Sequence, residues 1–231
     1  MKLKKKINLS SANSINIARL IPQTFYYFNA YSKIKNKNNV VISVPSGNFG
    51  NVTAGLLSKG MGLPIEKFIA STNKNKAVPD FIKNGIYKPF ETIQTISNAM
   101  DVGNPSNIKR ILDIYKNSDN LKQDMLSWSY GDSETINTIK RILNDYKYIL
   151  DPHSAVGLLG LENYTKDNNN FNGIFLGTAH PSKFLDIIEP EINKKIEIPD
   201  RLNDVLEKEK KSLFIKNDYE DFSNYLLEKF I

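Results

Sequence analysis

Residues 46–51, SGNFGN, place two glycines and two asparagines between the apolar run VVISV and the small-residue pattern NVTAGLL. Gly47 and Gly50 can take up φ > 0 and let a ligand approach the main chain, while the start of a following helix adds N–H groups and a positive dipole end. Such a nest suits a phosphate; a purely structural tight turn has the same sequence signature. Neither GxxxxGK[ST] nor GxGxxG is present, so no nucleoside-triphosphate loop or dinucleotide fingerprint applies. A second candidate anion site is NSINIAR, where Asn13, Asn16 and Arg19 are spaced by three and line up at a helix start with Ser14 as candidate cap. A capped surface helix with an exposed arginine is the plain alternative. In GTAH, Thr178 offers one hydroxyl to a ligand ring, or simply forms a turn.

Other chemistries are poorly supplied. The chain has no cysteine and only two histidines, which excludes disulfides and thiolate chemistry and leaves no transition-metal site to expect. Neither His153 nor His180 has an acidic residue and a serine at triad-like spacing, so each is expected to be packed or to sit at a helix start. The formal charge of +6 is spread over lysines mixed with Asn, Asp and Glu, with small clusters at 4–6, 33–37 and 208–211. No aromatic platforms are interleaved with them, so solvated faces are expected rather than a nucleic-acid surface. No apolar run approaches the ~18 residues of a membrane span, and the start MKLKKKINLSS lacks the apolar segment of a signal peptide. The expected location is the cytoplasm, with no membrane contact.

The elements that must position these residues follow from periodicity. Ile17, Leu20, Ile21, Phe25 and Phe28 recur at helical spacing, so a helix over 14–31 with that face buried is expected, kinked or broken at Pro22. A strand over 40–44, a helix over 52–58 and a strand over 67–72 make a βαβ unit, and therefore a parallel sheet. ETIQTIS reads as a possible strand, SNIKRILDIYK and ETINTIKRILNDY as helices, and 116–124 as a linker within an inserted helical piece of about 105–150. Asp151 and Pro152 are strong helix-start signals, and Gly157 and Gly160 share a face suited to close packing. FNGIFLGTAHPSKF repeats the strand, glycine turn, helix grammar. Two such junctions put two loops at the carboxyl ends of parallel strands, where open sheets bind ligands.

The motifs SANSINIARLIPQ, VPSGNFGNVTAGLLSKGMGLP, FIASTN, ISNAMDV, DPHSAVG and FLGTAHPSKF, in this order, resemble the carboxyl-terminal half of threonine synthase. The resemblance implies an α/β fold of three layers: a mostly parallel sheet with helices on both faces, as in fold type II pyridoxal-phosphate enzymes of the tryptophan-synthase-β type. It implies a catalytic-fold portion over 9–190, incomplete relative to the family, and a helical tail over 191–231. It also implies conversion of O-phosphohomoserine and water to threonine and phosphate. By carry-over, Gly47, Asn48, Phe49, Gly50 and Asn51 wrap the cofactor phosphate, Thr178 bonds the pyridine nitrogen, and Asn13, Ser14 and Arg19 hold the substrate phosphate.

The chain departs from the family pattern in one respect. The AFKD-like motif that carries the Schiff-base lysine and the SGDTG-like loop for the substrate carboxylate are both absent, and no lysine here matches the catalytic position. The expectation is therefore a truncated or split enzyme, or a misplaced start codon, inactive alone. The alternative is a non-catalytic partner that completes a separately encoded amino-terminal half.

Overall fold

The computed structural model describes residue 7 and residues 9–206 and 208–230; the lysine cluster at 4–6 lies outside the described residues. The chain divides into two compact units, one of residues 14–197 and the other of 1–13 with 198–231. The smaller carries two helices, Asp200–Leu206 and Tyr219–Phe230, neither with a buried residue. The larger holds everything described below.

Its elements are α1 (Ile17–Lys33), β1 (Val40–Pro45), α2 (Gly50–Gly60), β2 (Lys67–Thr72), α3 (Ala77–Asn84), α4 (Ile108–Tyr115), α5 (Ser118–Asp124), β3 (Met125–Ser129), α6 (Asp132–Tyr146), α7 (Pro152–Thr165), β4 (Asn172–Phe175) and α8 (Leu185–Ile192), with 3-10 turns at Asn98–Met100 and Pro181–Phe184. The four strands form one sheet in the order β3-β2-β1-β4, and every pairing is parallel. The expected βαβ unit is thus present, with Val41 opposite Lys67 and Pro45 opposite Ser71.

Strand order dictates the layers. The chain steps from β1 to β2 to β3 in one direction and then crosses back to β4, so right-handed crossovers put α2 to α5 on one face and α6 and α7 on the other. Alternation along the strands agrees. Val40, Ile42, Val44, Phe68 and Ala70 join a core with Leu20, Tyr27, Val52, Leu56, Ile111 and Leu121. The opposite face of β1 and β2 meets α7, where a Cβ added at Gly160 would fall 1.9 Å from Ser71 Oγ, 2.9 Å from Ser43 Oγ and 3.1 Å from Ile69 Cγ2. Helix and sheet backbones meet there because Gly160 has no side chain. Ser43 Oγ also donates to the Gly157 carbonyl at 2.6 Å. A second apolar cluster joins Ile139, Ile142, Leu150, Ala155, Phe184 and Ile188 beyond α7. The expected α/β architecture of three layers is borne out.

Several local expectations are corrected. Helix α1 is capped by Asn16, whose side chain accepts from the Ala18 N–H at 3.0 Å; Ser14 lies before the cap. The helix runs through Pro22 without a break. Its buried residues are Leu20, Thr24 and Tyr27, while Ile17, Ile21, Phe25 and Phe28 are 39% to 66% exposed. Two apolar stripes share the helical period, and only the Leu20–Tyr27 stripe meets α2. There Gly55 makes room: a Cβ on it would lie 2.6 Å from the Phe68 ring and 2.8 Å from the Tyr27 ring. ETIQTIS is not a strand; it is held instead by side chains, with Asn75 bonding the Ile93 backbone on both its N–H and its carbonyl. The segment 105–150, read as helical, includes β3 as well as α4, α5 and α6. MLSWS is too short to show alternation, and its strand state comes from pairing with β2.

Candidate functional site

Because β1 lies between β2 and β4, the direction of strand succession reverses at the β1/β4 boundary, the switch point where open α/β sheets form a crevice. Ser43 pairs with Phe175, and the Leu176 N–H donates to the Ser43 carbonyl at 3.0 Å. The turns that follow β1 and β4 therefore emerge side by side. Helix α7, which precedes β4 and runs antiparallel to it, brings its N-terminus to the same end. These three features line a cavity of about 390 Å³.

The first wall is the turn 46–51. The positive φ falls on Phe49 (φ 60°, ψ 15°), not on Gly47 or Gly50. A left-handed residue followed by helical ones turns successive N–H groups toward one point, an anion-binding arrangement, and α2 begins directly after it. Phe49 tolerates the conformation because its side chain is buried in the core, 2% exposed, and its carbonyl accepts from Thr53 N–H (3.1 Å) and Oγ1 (2.6 Å). Gly47 serves close approach: a Cβ there would lie 2.6 Å from Met100 Cα. The turn 98–100 is fixed by a polar network in which Asn73 Nδ2 donates to Thr95 Oγ1 and Asp101 Oδ1, each at 2.8 Å, and Thr95 Oγ1 donates to Asp101 Oδ1 at 2.7 Å. FIASTN and ISNAMDV are thus the scaffold of this wall.

Asn48 and Asn51 use their side chains as ties. Asn48 Nδ2 donates to Ser14 Oγ at 2.5 Å, and its Oδ1 accepts from Ser106 N–H (2.6 Å) and Oγ (2.8 Å). Tyr27 Oη bonds the Asn51 carbonyl at 2.8 Å and Oδ1 at 2.5 Å; burial pushes the Tyr27 phenol well above its ordinary value, so it remains a donor. Removing that hydroxyl as Tyr27→Phe should cost about 1–2 kcal/mol, the net value of a buried hydrogen bond with its acceptors stranded. A urea midpoint shift at unchanged slope is the check.

The second wall is the approach to α1. Ser14 and Arg19 both line the cavity with the 46–51 turn. Buried Asn107 donates to the carbonyls of Ser14 (3.3 Å) and Asn48 (2.9 Å), and Arg110 donates to the Ile15 carbonyl at 3.0 Å and to Asn107 Oδ1 at 2.6 Å. Asn13 falls in the other compact unit, where its N–H donates to Ser11 Oγ at 3.1 Å. The third wall holds Thr178, Lys183 and His153.

The structure therefore brings Ser14, Arg19, the residues 47–51 and Thr178 to one cavity. Sequence reasoning missed Asn107, Arg110, Lys183 and the place of His153 on its wall. Asn107 and Arg110 belong to a recognisable helix start, SNIKR, but nothing local signals a carbonyl partner more than fifty residues away. The expectation that neither histidine has an acidic partner is corrected for His153, whose Nδ1 lies 3.0 Å from Asp151 Oδ1. Ser154 Oγ donates to the other oxygen of the same carboxylate. Both side chains bond the helix cap, so no serine is aligned for activation by the imidazole. His180 is a local helix-start residue, its Nδ1 accepting from Ser182 N–H at 3.2 Å.

The cavity can accommodate an anion on chemical grounds: Arg19 and Lys183 stand on its wall with the 46–51 turn, and no Asp or Glu is among its described lining residues. Among the described residues no group of His, Cys, Asp and Glu could hold a metal, and no helix is long and apolar enough to cross a membrane.

Comparison with known proteins first gives the class. The neighbours in fold include a pyridoxal 5'-phosphate-dependent aspartate racemase (TM-score 0.54, 10% identity, 76% of this chain and 54% of that one) and serine racemase from Dictyostelium discoideum (TM-score 0.55, 14% identity, 71% of this chain and 50% of that one), likenesses of fold alone. At higher identity the likeness narrows. Residues 154–226 match the family model described as "Threonine synthase, C-terminal". Threonine synthase from Buchnera aphidicola of Acyrthosiphon pisum is 44% identical over 99% of this chain and 53% of its own; that from Escherichia coli K12 is 42% identical over 87% and 46%. The crystal structure of the E. coli threonine synthase superposes with a TM-score of 0.89 at 36% identity, covering 99% of this chain and 53% of that one. A threonine synthase from Brucella melitensis, solved with pyridoxal phosphate bound, gives 0.88 at 29% identity, over 99% and 54%. In sequence and fold, this chain matches the carboxyl-terminal half of threonine synthase. It spans about half the length of the relatives it matches.

Proposed function

We propose that this chain forms the phosphate-gripping half of a threonine synthase site, with pyridoxal phosphate as cofactor and O-phosphohomoserine as substrate, in the last step of threonine biosynthesis. The observation that carries the reading is the meeting of Ser14, Arg19, the 46–51 turn and Thr178 in one cavity without a described carboxylate. Two phosphate groups are to be held, one of cofactor and one of substrate. The N–H groups of residues 47–51 and the N-terminal dipole of α2 receive the cofactor phosphate, fixing the position of the ring. Thr178, on the wall of the same cavity, would offer its hydroxyl to the pyridine nitrogen. Ser14 and Arg19 receive the substrate phosphate; the guanidinium offers a charge-assisted fork and favours the dianion that must leave. When bound, pyridoxal phosphate supplies the electron sink that stabilises carbanions at Cα and Cβ.

The lysine that anchors the cofactor has no match in these residues, so the amino-terminal portion must provide it. The exposed stripe Ile17, Ile21, Phe25 and Phe28 along α1, beside the cavity, supports docking of that portion against this half. This also favours the second reading, in which the chain completes a separately supplied amino-terminal half and performs no chemistry itself. One assay tests both. The purified chain should release no phosphate from O-phosphohomoserine, and mixing it with a polypeptide carrying the AFKD and SGDTG motifs should produce threonine. Threonine formation by the chain alone would overturn the division of labour. A stable pair that forms no threonine would leave only the binding role.

A further inference from the structure

The ring of His153 is 3% exposed. Its Nδ1 is turned to the Asp151 carboxylate, and its Nε2 is buried with no hydrogen-bond partner among the described residues. Buried polar atoms ordinarily find partners, and one that does not calls for an explanation. The ring is not loosely placed. Asp151 caps α7, accepting from the His153 N–H at 2.9 Å and the Ser154 N–H at 3.3 Å, and the Phe184 ring lies 5.0 Å from the imidazole centroid. One nitrogen is thus fixed by a carboxylate and the other is left for something else. The residue borders the cavity that also receives Arg19, Lys183 and the 46–51 turn.

We propose that His153 is a ligand-contacting residue of this cavity, its Nε2 hydrogen-bonding an oxygen of a bound phosphate monoester. The Asp151 carboxylate holds Nδ1 and orients the imidazole, so that Nε2–H can donate to the anion. This rests on the phosphate-gripping reading above and deepens it, adding a donor from α7 to those of α1 and the 46–51 turn. The monoester is either the cofactor's or the substrate's, and the two are separable by choice of probe.

The test uses the full chain labelled with 15N in its histidines. With the His153 ring signal identified by its loss in His153→Asn, pyridoxine phosphate, O-phosphohomoserine and phosphate-free pyridoxine are each titrated in. Asparagine is chosen because its amide can keep the Nδ1 contact to Asp151 while deleting Nε2. Saturation with a phosphate monoester should move the Nε2 resonance and bring out a slowly exchanging Nε2–H proton. Phosphate-free pyridoxine should do neither. His153→Asn should weaken that monoester about tenfold, the scale of one hydrogen bond to a charged group. If only pyridoxine phosphate gives these changes, the contact is to the cofactor; if only O-phosphohomoserine does, it is to the substrate. Monoester binding with an unmoved Nε2 resonance and native affinity in His153→Asn would overturn the proposal while leaving the reading of the cavity intact. No monoester binding at all would overturn both.

Discussion

Asp151→Ala should destabilise the protein by about 3 kcal/mol. The carboxylate is 2% exposed and serves four donors: two backbone N–H groups at the start of α7, the His153 ring and the Ser154 hydroxyl. Loss of the cap alone costs ~1 kcal/mol, and each buried group left without its partner adds about 1–3 kcal/mol, less than additively. Burial by itself would raise the pKa of Asp151, but the hydrogen bonds from His153 and Ser154 and the nearby ring outweigh it and hold the carboxyl below its ordinary range. A group whose folded pKa is depressed contributes stability that is present above its unfolded pKa of about 3.9 and is lost as pH falls through the folded value. Denaturant midpoints should therefore drop in the native protein below about pH 4, and Asp151→Asn should flatten that part of the profile. An unchanged profile in Asp151→Asn would mean that the carboxylate is not the titrating group.

Gly160→Ala should cost about 2–3 kcal/mol, although alanine is the better helix former by nearly 1 kcal/mol. The added Cβ would sit 1.9 Å from Ser71 Oγ, and that hydroxyl cannot swing away without disturbing its 3.1 Å contact with Ser43 Oγ, which in turn donates to Gly157. Overpacking of a filled interior carries a cost of this size. Ser71→Ala removes the nearer of the two obstructing oxygens, so the same substitution in that background should lose less than half as much. Urea unfolding of the four proteins gives the coupling directly. An equal loss in both backgrounds would show that the α7 contact with β2 is not tight.

These two cases show which parts of the molecule are legible in sequence. Asp151 followed by proline is a local helix-start signal, and the Gly157/Gly160 pair announces a close face; both were readable because the causes lie within a few residues. The βαβ unit was readable for the same reason. The position of the 46–51 turn was readable too, but not its conformation: sequence favours φ > 0 at glycine, whereas the fold places it at Phe49, whose ring the core can hold. The buried face of α1 was misjudged because it carries two apolar stripes, and choosing between them requires knowing what each one meets. β3 escaped notice because five residues pairing with one neighbour leave almost no periodic trace. Asn107, Arg110 and His153 were invisible as site residues because their partners or their cavity are contributed by distant segments.

The grip of the 46–51 turn and its neighbours on a phosphate monoester is what the proposed function needs first. Pyridoxine phosphate tests it without interference, since it lacks the aldehyde that would react with surface lysines. Calorimetric titration of the chain should show it binding at least about tenfold more tightly than phosphate-free pyridoxine, the margin that one charge-assisted contact alone supplies, with Arg19→Ala retaining most of that preference and the amide resonances of Phe49, Gly50 and Asn51 shifting on saturation. Equal affinity for the two ligands, or saturation with those three amides unmoved, would contradict it.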